Sequence, residues 1–413
     1  MSIEAPWQDM EARRHAAPAP LRLLTFSTLF PNNEQPNHGI FVENRLRHLV
    51  ASGAAKSVAV APVPYFPAHV PLFRRWGRYA RIAPREERHG MTVYHPRFAV
   101  IPRVGMAASP ILMAASLFGF VRRLAAQGAG FDLIDAHYLY PDGVAAVWIG
   151  QRLGCPVVIT ARGSDVNVIP RYLLPRRMIR WALARAAGLI AVSRALKEAM
   201  IDLGVAAERI EVLRNGVDLA LFRPDDRDTA RQSLGLSRPT LLSVGHLVEP
   251  KGHHRVIAAL PDLTEFDLLI VGTGPERGRL EQLSRQLGVA DRVRLLGAVS
   301  HAVMPAIYAA ADALVLASSR EGWANVLLEA MACGTPVIAS NAGGNPEVVR
   351  AGESGLIFQQ NTPEGIATAV RIFFTNPPER AAVRAYAERF SWDETTQGQI
   401  ALFRRVLNRV PAP

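Results

Sequence analysis

The sequence predicts an α/β protein with two doubly wound parallel sheets, one in each half of the chain. Three observations lead to this fold class. Short, continuously apolar strand patterns alternate with helical patterns along most of the 413 residues. Such strands are typical of parallel sheets that helices cover on both faces. A polar stretch at residues 223–239 divides the chain into halves that each have the size of one domain.

The first half, residues 20–222, alternates predicted strands with helices. Strand patterns occur at residues 21–28, 57–63, 131–138, 156–161, 188–193 and 209–213. Helical patterns occur at residues 39–51, 104–120, 144–153 and 196–203. A segment rich in Pro and Arg interrupts this alternation up to residue 103. We therefore expect a Rossmann-like domain with an irregular excursion in its first part.

The second half, residues 240–392, repeats the architecture after the polar stretch, which is the best candidate for an interdomain linker. Its strand patterns occur at residues 240–247, 266–274, 292–297, 311–318 and 335–340. Residues 393–413 have the pattern of one further helix. The second half is therefore expected to form a second Rossmann-like domain.

Composition indicates a globular protein in a reducing, cytoplasmic setting. Apolar residues make up 49% of the chain and charged residues 20%. The two cysteines, Cys155 and Cys333, are far apart and have no metal-like spacing. Residues 1–19 hold three acidic residues and no apolar run, so we expect a disordered tail rather than a signal peptide. The apolar segment 104–120 contains Pro110 and is short for a membrane span, so we expect a buried or surface-lying helix.

Positive charge is concentrated in the first half of the chain. Residues 1–220 hold 27 Lys and Arg against 16 Asp and Glu, whereas residues 221–413 hold 20 of each. Eight arginines lie within residues 70–105, interleaved with aromatic residues. This pattern suits an anionic membrane surface or nucleic acid, and a solvated basic face is the alternative.

The segment from Ser318 to Val349 carries the most functional information. It reads SSREGWANVLLEAMACGTPVIASNAGGNPEVV and places Glu321 and Glu329 eight positions apart around the start of a predicted helix. We predict Asn325 as the N-cap of that helix, so that the free amides of the first turn face an anion. A carboxylate accepts hydrogen bonds from two adjacent sugar hydroxyls. The alternative is that both glutamates are helix-start residues favoured by the helix dipole.

This segment resembles the E-x7-E signature of glycosyltransferase family 4, which has the GT-B fold. The family pattern S-x-x-E-G-x-x-x-V-x-x-E-A-M-A-C-G-x-P-V, followed by G-G-x-x-E, is met at every fixed position. The resemblance covers about residues 20 to 410. It implies that Glu321 holds hydroxyls of the donor sugar and that Glu329 holds the ribose hydroxyls of the nucleotide. It also implies that the second domain binds the nucleotide sugar and that the last helix, residues 393–413, packs back onto the first domain.

The loop VGHLVEPKGHH, residues 244–254, follows a predicted strand and opens a helix. Gly245 permits close approach of the backbone, and Lys251 supplies a positive charge for phosphate. His246 stands where the family commonly has Arg, which is one of two usual phosphate-binding cations. A histidine at this position is either partly charged or only donates a hydrogen bond. The alternative for Lys251 is a surface lysine at a helix start.

The loop VGTGPERG, residues 271–278, does not have the spacing of a dinucleotide site and lacks the acidic residue that such a site needs. The resemblance implies that Gly272 and Gly274 lie beside the nucleotide instead. It also implies that Gly297 and Val299 line the base.

In the first half, His137 ends a predicted strand, and the resemblance implies a position beside the reacting sugar. A core histidine is the alternative. Arg162 and Asp165 follow the next strand and are candidates to orient the acceptor or the phosphate, with a solvated loop as the alternative. The turn NGVD, residues 215–218, resembles a recurrent stretch of the family, which implies that Asn215 touches a central cleft that the two domains face. The resemblance implies that the loop containing Gly39 approaches the donor phosphate and the acceptor.

The predicted catalytic residues are therefore His137, Lys251 and Glu321. The predicted donor site is drawn from loops at strand ends and from one helix start: Gly39, Gly245, His246, Lys251, Gly272, Gly274, Gly297, Val299, Glu321, Gly322, Ala324, Asn325, Val326 and Glu329. No metal or cofactor is predicted, since the D-x-D pair Asp226 and Asp228 lies in the linker. Helix-start amides and Lys251 must then stabilise the leaving diphosphate.

We expect a metal-independent enzyme that moves a sugar from a nucleotide sugar to an acceptor hydroxyl, and the resemblance implies that it retains the anomeric configuration. The TLFPN–GIFVENR and AHYLYPDG–TARGSDVN segments resemble those of bacterial exopolysaccharide, capsule or teichuronic-acid transferases. This implies a saccharide or polyprenyl-diphosphate-linked acceptor and a place in the cytoplasm, with peripheral contact to the anionic inner face of the cell membrane through the basic first half. No nucleic acid is expected as a partner. A nucleotide-sugar epimerase or phosphorolytic enzyme of the same fold, and a basic nucleic-acid-binding protein, remain the alternatives.

Overall fold

The computed structural model describes residues 19–65, 74–100, 105–126 and 130–409, and only the backbone of residues 74–76. Apart from Ala19, the predicted tail lies outside these residues. The last four positions of the predicted C-terminal helix, residues 410–413, lie outside them as well.

The described part of the first half contains ten strands. They are β1 (Leu21–Phe26), β2 (Ala55–Val60), β3 (Val63–Tyr65), β4 (Arg85–Arg88), β5 (Met91–Tyr94), β6 (Arg97–Ala99), β7 (Leu133–His137), β8 (Val157–Ala161), β9 (Gly188–Ala191) and β10 (Ile210–Val212). Eight of them form one sheet in the order β10-β9-β8-β7-β1-β2-β5-β4, and β3 pairs with β6. Pairing is parallel at β1–β2, β1–β7, β2–β5 and β9–β10, and antiparallel at β4–β5.

The second half forms a sheet whose strands are all parallel. The strands are β11 (Thr240–Val244), β12 (Asp267–Val271), β13 (Val293–Gly297), β14 (Ala313–Leu316), β15 (Val337–Ser340) and β16 (Gly355–Phe358). They lie in the order β13-β12-β11-β14-β15-β16. The core side chains Leu241, Ile270 and Val315 are fully buried. The predicted fold class, two parallel α/β sheets, is confirmed.

The described residues also form sixteen α-helices, the last three of which follow β16. They are α1 (Ile40–Ala51), α2 (Arg74–Ala80), α3 (Gly105–Ala126), α4 (Val144–Leu153), α5 (Ser164–Asn167), α6 (Leu173–Arg185), α7 (Arg194–Asp202), α8 (Arg227–Ser233), α9 (His253–Ala259), α10 (Arg277–Gln286), α11 (Met304–Ala310), α12 (Asn325–Ala332), α13 (Asn345–Val348), α14 (Pro363–Thr375), α15 (Arg380–Ala387) and α16 (Trp392–Arg409).

The chain divides into two compact units that do not coincide with its halves. The first unit comprises the described residues within Met1–Ala136, Ala145–Val158 and Gln399–Pro413, and the second comprises His137–Val144 and Ile159–Gly398. All but one of the predicted site residues belong to the second unit. Gly39 belongs to the first.

The Pro- and Arg-rich excursion contains a β-hairpin that the sequence pattern did not predict. β4 and β5 pair antiparallel around the two residues His89 and Gly90, which have φ values of 49° and 74°. Two consecutive positive φ values are typical of the tight turn that matches the twist of a hairpin. The hairpin adds an antiparallel edge to the first sheet.

The polar stretch at residues 223–239 was predicted as an interdomain linker, and it contains α8. The side chain of Asp226 accepts hydrogen bonds from the amides of Asp228 and Thr229, each at 3.1 Å. Capping by a carboxylate satisfies the free amides of a helix start, which explains why this charged stretch is helical. Asp226 therefore serves as a helix cap.

The predicted apolar helix is α3, and one of its faces is buried through Met113, Leu117 and Val121. On the other side, Met106 and Ile111 are 45% and 54% exposed. By length and composition α3 would be able to cross a membrane. A helix with one buried and one exposed face agrees with the surface-lying alternative.

Several arginines of the predicted basic patch are engaged locally. Arg81 pairs with Glu34 at 2.8 Å, and Arg88 pairs with the buried Glu43 at 2.6 Å. Arg97 donates to backbone carbonyls of its own region. The ion pairs of Arg81 and Arg88 reduce the net positive charge that this patch offers to a partner.

Candidate functional site

Three glycines bring together the loops that follow adjacent strands of the second sheet. Gly245, Gly272 and Gly297 have φ values of 152°, 146° and 76°. The Gly245 amide donates to the Val271 carbonyl at 3.0 Å, and the Gly272 amide donates to the Gly297 carbonyl at 2.9 Å. A Cβ on Gly272 would lie 1.8 Å from the Gly245 carbonyl oxygen, so only glycine fits there. The result is a backbone-lined edge at the carboxyl ends of the strands, where α/β sheets bind ligands.

Gly274 and Val299 extend the same edge. A Cβ on Gly274 would lie 2.3 Å from the carbonyl oxygen of Leu247. The amide of Leu247 donates to the Thr273 carbonyl at 3.0 Å. Val299 follows β13 and is half-buried. Both residues therefore lie in the loops where a nucleotide site is predicted.

Lys251 is held over this edge by the loop between β11 and α9. Its side-chain carbons lie over Gly245, where a Cβ would approach them to 3.5 Å. The loop ends at Gly252, which has a φ of 74° and would place a Cβ 2.0 Å from the Ala317 carbonyl oxygen. The Nζ atom of Lys251 donates to Oε1 of Glu321 at 2.7 Å. The cation is therefore fixed beside one of the two predicted sugar-site carboxylates.

His246 is exposed on the same loop. Its Nδ1 lies 2.7 Å from the carbonyl oxygen of Thr273. A carbonyl only accepts hydrogen bonds, so Nδ1 carries a proton and Nε2 faces outward. The outward nitrogen accepts a hydrogen bond when the ring is neutral and donates one when the ring is charged.

Glu321 is 8% exposed in the loop that follows β14. Its Oε1 accepts a second hydrogen bond from the Ser318 hydroxyl at 2.7 Å. The Ser340 hydroxyl, on β15, donates to the Ser318 carbonyl at 2.6 Å and fixes the loop. Oε1 of Glu321 is thus held by Lys251 and Ser318, whereas no donor among the described residues contacts Oε2.

Two glycines let the Glu321 loop lie against its neighbours. A Cβ on Gly322 would lie 2.1 Å from the Arg162 carbonyl oxygen. A Cβ on Gly343, which has a φ of 50°, would lie 1.8 Å from the Glu321 carbonyl oxygen. These contacts explain why glycine stands at both positions of the motif.

The helix after Glu321 begins one position away from the predicted cap. Asn325 was predicted as the N-cap, and this prediction is wrong: Ala324 is the cap, without a side-chain hydrogen bond, and α12 starts at Asn325. The Asn325 side chain is engaged elsewhere, since its Oδ1 accepts from Nδ2 of Asn215 at 3.2 Å. The first-turn amides of Asn325 and Val326 still lie at the positive end of the helix, as an anion site requires.

Glu329 lies in the second turn of α12 and is half-buried. The hydroxyl of the fully buried Tyr308 donates to its Oε2 at 2.8 Å. Burial raises the pKa of Glu329, while His301 and the Tyr308 hydroxyl oppose that shift. Its fixed orientation by Tyr308 distinguishes Glu329 from a glutamate that is merely favoured near a helix start. Nothing in the sequence pattern pointed to Tyr308.

A chain of hydrogen bonds connects His137 to the start of α12. Nη2 of Arg162 lies 2.7 Å from Nδ1 of the buried His137, and Nη1 donates to Oδ1 of Asn215 at 3.0 Å. Asn215 in turn donates to Asn325. Since a guanidinium only donates, Nδ1 accepts and the proton of the neutral imidazole lies on Nε2. Residues from three separate predicted loops are thereby brought together.

Asp165 anchors the loop that carries Arg162. It is fully buried, and its carboxylate accepts from the amides of Leu139, Arg162 and Gly163 at 2.6 to 3.2 Å. Burial raises the pKa of Asp165, and these amide hydrogen bonds oppose the shift. Tyr138, next to His137, has a φ of 83°, an uncommon conformation for a non-glycine residue. Asp165 thus shapes the backbone around His137 and Arg162.

The last glutamate of the motif holds two further loops. Oε1 of Glu347 accepts from the amide of Ala195, and Oε2 pairs with Nη2 of Arg214 at 2.9 Å. Arg214 precedes Asn215 in the chain. Glu347 therefore fixes the backbone that presents Asn215.

Gly39 is described within the first unit alone. It precedes α1, has a φ of 67°, and would place a Cβ 2.2 Å from the carbonyl carbon of Leu29. Only glycine allows this close approach of two loop segments.

Throughout residues 19–65, 74–100, 105–126 and 130–409, no three His, Cys, Asp or Glu side chains are grouped as metal ligands.

Two family models cover most of the chain. Residues 43–221 match the model of "Glycosyltransferase Family 4", and residues 226–390 match that of "Glycosyl transferases group 1". The polar stretch that contains α8 lies at the junction of the two matches.

Curated relatives are similar over most of their own length. A D-inositol 3-phosphate glycosyltransferase of Acidothermus cellulolyticus is 33% identical over 72% of this chain and 72% of the relative. One from Catenulispora acidiphila is 28% identical over 96% and 98%. TuaC of Bacillus subtilis, a glycosyltransferase named for teichuronic acid biosynthesis, is 29% identical over 78% and 82%.

Solved structures share the fold. Sucrose-phosphate synthase from Thermosynechococcus elongatus superposes with a TM-score of 0.75, at 22% identity over 94% of this chain and 98% of that chain. HepE of Anabaena, in complex with UDP-glucose, gives a TM-score of 0.70 at 23% identity over 93% and 98%. With two parallel α/β sheets and these neighbours, the fold is GT-B.

Proposed function

The chain belongs to glycosyltransferase family 4 and is a nucleotide-sugar-dependent glycosyltransferase, and we propose that it retains the anomeric configuration and needs no metal ion. We further propose that its acceptor is a saccharide, free or linked to polyprenyl diphosphate, in the synthesis of a cell-surface polysaccharide. In this proposal the enzyme acts in the cytoplasm, at the inner face of the cell membrane.

The pairing of Lys251 with Glu321 beside the start of α12 carries the proposal. The outer oxygen of Glu321 accepts hydroxyls of the donor sugar. Lys251 and the amides of Asn325 and Val326 bind the diphosphate. Glu329, oriented by Tyr308, accepts the ribose hydroxyls. Along the chain, Glu321, the start of α12 and Glu329 follow one another in the order proposed for sugar, diphosphate and nucleoside.

Metal independence is supported by the charges that the protein itself supplies. The leaving diphosphate gains negative charge as the sugar bond breaks, and pre-positioned donors stabilise it. Lys251 and the positive end of α12 provide that stabilisation without a cation. Because Lys251 and the start of α12 supply this positive charge, we assign no metal ion to the reaction.

Retention is what the family resemblance implies, and the chemistry of His137 supports it. In the neutral form described above, Nε2–H of His137 is a hydrogen-bond donor. It would hold a hydroxyl of the donor sugar. The acceptor hydroxyl then attacks from the face that the diphosphate leaves, and its proton passes to the departing phosphate oxygen. No covalent enzyme intermediate is part of this route.

The acceptor assignment has support from the relatives. TuaC is named for a cell-surface polymer, and residues 1–220 carry the whole net charge of +11. A second acceptor, D-inositol 3-phosphate, is favoured by the names of several relatives at 28 to 33% identity. D-inositol 3-phosphate and a saccharide linked to polyprenyl diphosphate both carry phosphate, which a basic surface attracts.

The test is a screen of UDP-, GDP- and ADP-sugars with soluble and lipid-linked acceptors, which measures release of the nucleoside diphosphate. We expect release that depends on an acceptor, that persists in EDTA, and that gives a product with the anomeric configuration of the donor by NMR. Release without acceptor and with epimerised sugar would favour an epimerase. An inverted product, or loss of activity in EDTA that Mg²⁺ restores, would contradict retention or metal independence.

A further inference from the structure

The start of α6 presents three consecutive large apolar side chains to solvent. Tyr172, Leu173 and Leu174 are 54%, 76% and 53% exposed. No other run of three large apolar residues is as exposed in the part of the chain that the structure describes. Exposure of a contiguous apolar group is unfavourable in water and typically marks a surface that binds a partner.

The same segment is strongly basic. Residues 171–185 contain five arginines and no Asp or Glu: Arg171, Arg176, Arg177, Arg180 and Arg185. All five are exposed. Among the residues with described side chains, no carboxylate forms an ion pair with any of them. This distinguishes them from Arg81 and Arg88, which are paired with glutamates.

The helix does not need these side chains for its own packing. Its buried face consists of Pro175, Ile179, Ala182 and Leu183. The leucines and arginines of the first two turns lie on the remaining faces and point to solvent. A substitution among them should therefore leave the fold intact.

We infer that the segment Arg171–Arg180 is a docking surface for an anionic lipid bilayer. Tyr172, Leu173 and Leu174 would enter the boundary between headgroups and acyl chains, where aromatic and aliphatic side chains are favoured. The surrounding arginines bind the lipid phosphates. A nucleic acid would gain little from two leucines, because they neither stack on bases nor form hydrogen bonds.

The inference identifies the segment of the basic first half that contacts the membrane. Its biological purpose rests on the proposed lipid-linked acceptor. The binding itself does not depend on any donor or acceptor. It therefore can be tested without knowledge of the reaction, and failure of one proposal is distinguishable from failure of the other.

The experiment is co-sedimentation of the full chain with phosphatidylcholine vesicles, with and without phosphatidylglycerol. We expect binding that requires phosphatidylglycerol and falls with salt. The variant R176Q/R177Q should bind about 25-fold more weakly, at about fivefold for each arginine near a charged membrane. The variant L173S/L174S should lose about tenfold or more, because its apolar contact is removed.

Matched controls separate this surface from general charge and exposure. Ile372 on α14 is 57% exposed, and Arg285 on α10 is exposed. The variants I372S and R285Q should bind vesicles like the wild type. All four variants should release nucleotide at the wild-type rate with a soluble acceptor.

Three results would overturn the inference. The first is absence of binding to phosphatidylglycerol vesicles by the wild type. The second is unchanged vesicle binding by both double variants. The third is loss of binding to duplex or single-stranded DNA, but not to vesicles, in R176Q/R177Q, which would assign the surface to nucleic acid.

Discussion

The Nζ atom of Lys251 lies 2.7 Å from Oε1 of Glu321, although the two residues are 70 positions apart in the chain. They follow β11 and β14, which are neighbours in the second sheet, so their loops leave the same edge. The contact fixes a cation and a carboxylate side by side. A nucleotide sugar needs this combination, because its diphosphate is anionic and its sugar offers hydroxyls.

Tyr308 should act on nucleotide binding through Glu329. The variant Tyr308→Phe removes the hydroxyl that donates to Oε2 of Glu329, and one such hydrogen bond contributes ~1 kcal/mol, or about fivefold in affinity. We expect this loss in calorimetric titration with the nucleoside diphosphate of the donor. The 2′,3′-dideoxy analogue should bind wild type and variant equally, because it has no ribose hydroxyls for Glu329. An equal loss with both nucleotides would contradict the assigned role.

Arg162 should act on catalysis through His137. The variant Arg162→Lys removes the paired donors to His137 and Asn215, so the imidazole loses its fixed tautomer. We expect kcat to fall by at least about tenfold, with little change in affinity for the nucleoside diphosphate. Nitrogen NMR of His137 should report a protonated Nε2 in the wild type and a mixture of tautomers in the variant.

A matched variant is Arg384→Lys, since the Arg384 guanidinium donates to the carbonyls of Phe222 and Ala332 instead. It should lower stability without changing the tautomer of His137. A wild-type kcat for Arg162→Lys, with the NMR signal unchanged, would show that Arg162 does not position His137.

His246 should limit the affinity for phosphate. The variant His246→Arg introduces a permanent cation beside the proposed diphosphate site, and an exposed charge pair contributes ~0.2–1 kcal/mol. We expect binding of the nucleoside diphosphate to tighten by up to about fivefold at low salt, and the gain to shrink as salt is added. His246→Gln is the neutral control and should not tighten binding. Weaker binding of the arginine variant at every salt concentration would place His246 away from the phosphates.

Gly343 should be essential to the shape of the Glu321 loop. Its φ is 50°, and an added Cβ would lie 1.8 Å from the Glu321 carbonyl oxygen, so Gly343→Ala must displace that loop. We expect loss of nucleotide release and a lower Tm. Gly352 has a comparable φ of 77° with no atom within 4 Å of a Cβ, so Gly352→Ala isolates the backbone strain alone. Equal activity of the two variants would contradict the steric argument.

The sequence was sufficient for the fold class and for the edge of the sheet where the site residues gather. Apolar strands alternated with helices, and parallel strands place their ends at one edge. Gly245 and Gly272 lie near the carboxyl ends of predicted strands, and Lys251 and Glu321 follow predicted strands, so their convergence could be expected from topology. Local sequence pattern and strand order were sufficient to predict this edge, because each strand or loop pattern spans only a few neighbouring residues.

The contacts made by single side chains were beyond the sequence pattern. Tyr308 lies in an apolar helical stretch and gives no polar signal, yet its hydroxyl orients Glu329. Asn325 had the residue type of a helix cap, but its side chain accepts from Asn215, 110 positions away. Long-range hydrogen bonds of this kind override a local preference, because the asparagine side chain cannot serve both partners in one rotamer.

The most direct test of the donor site is the rate of nucleoside diphosphate release by Glu321→Gln, measured at saturating acceptor. Removal of the carboxylate leaves Lys251 without its partner and weakens the hold on the sugar. We expect a loss of about 10²–10³, the size seen when one transition-state contact is removed. Glu249→Gln, an exposed glutamate on the Lys251 loop, should remain fully active, and both variants should keep the wild-type Tm. A wild-type rate for Glu321→Gln would contradict the assignment of Glu321 and Lys251 as the donor site.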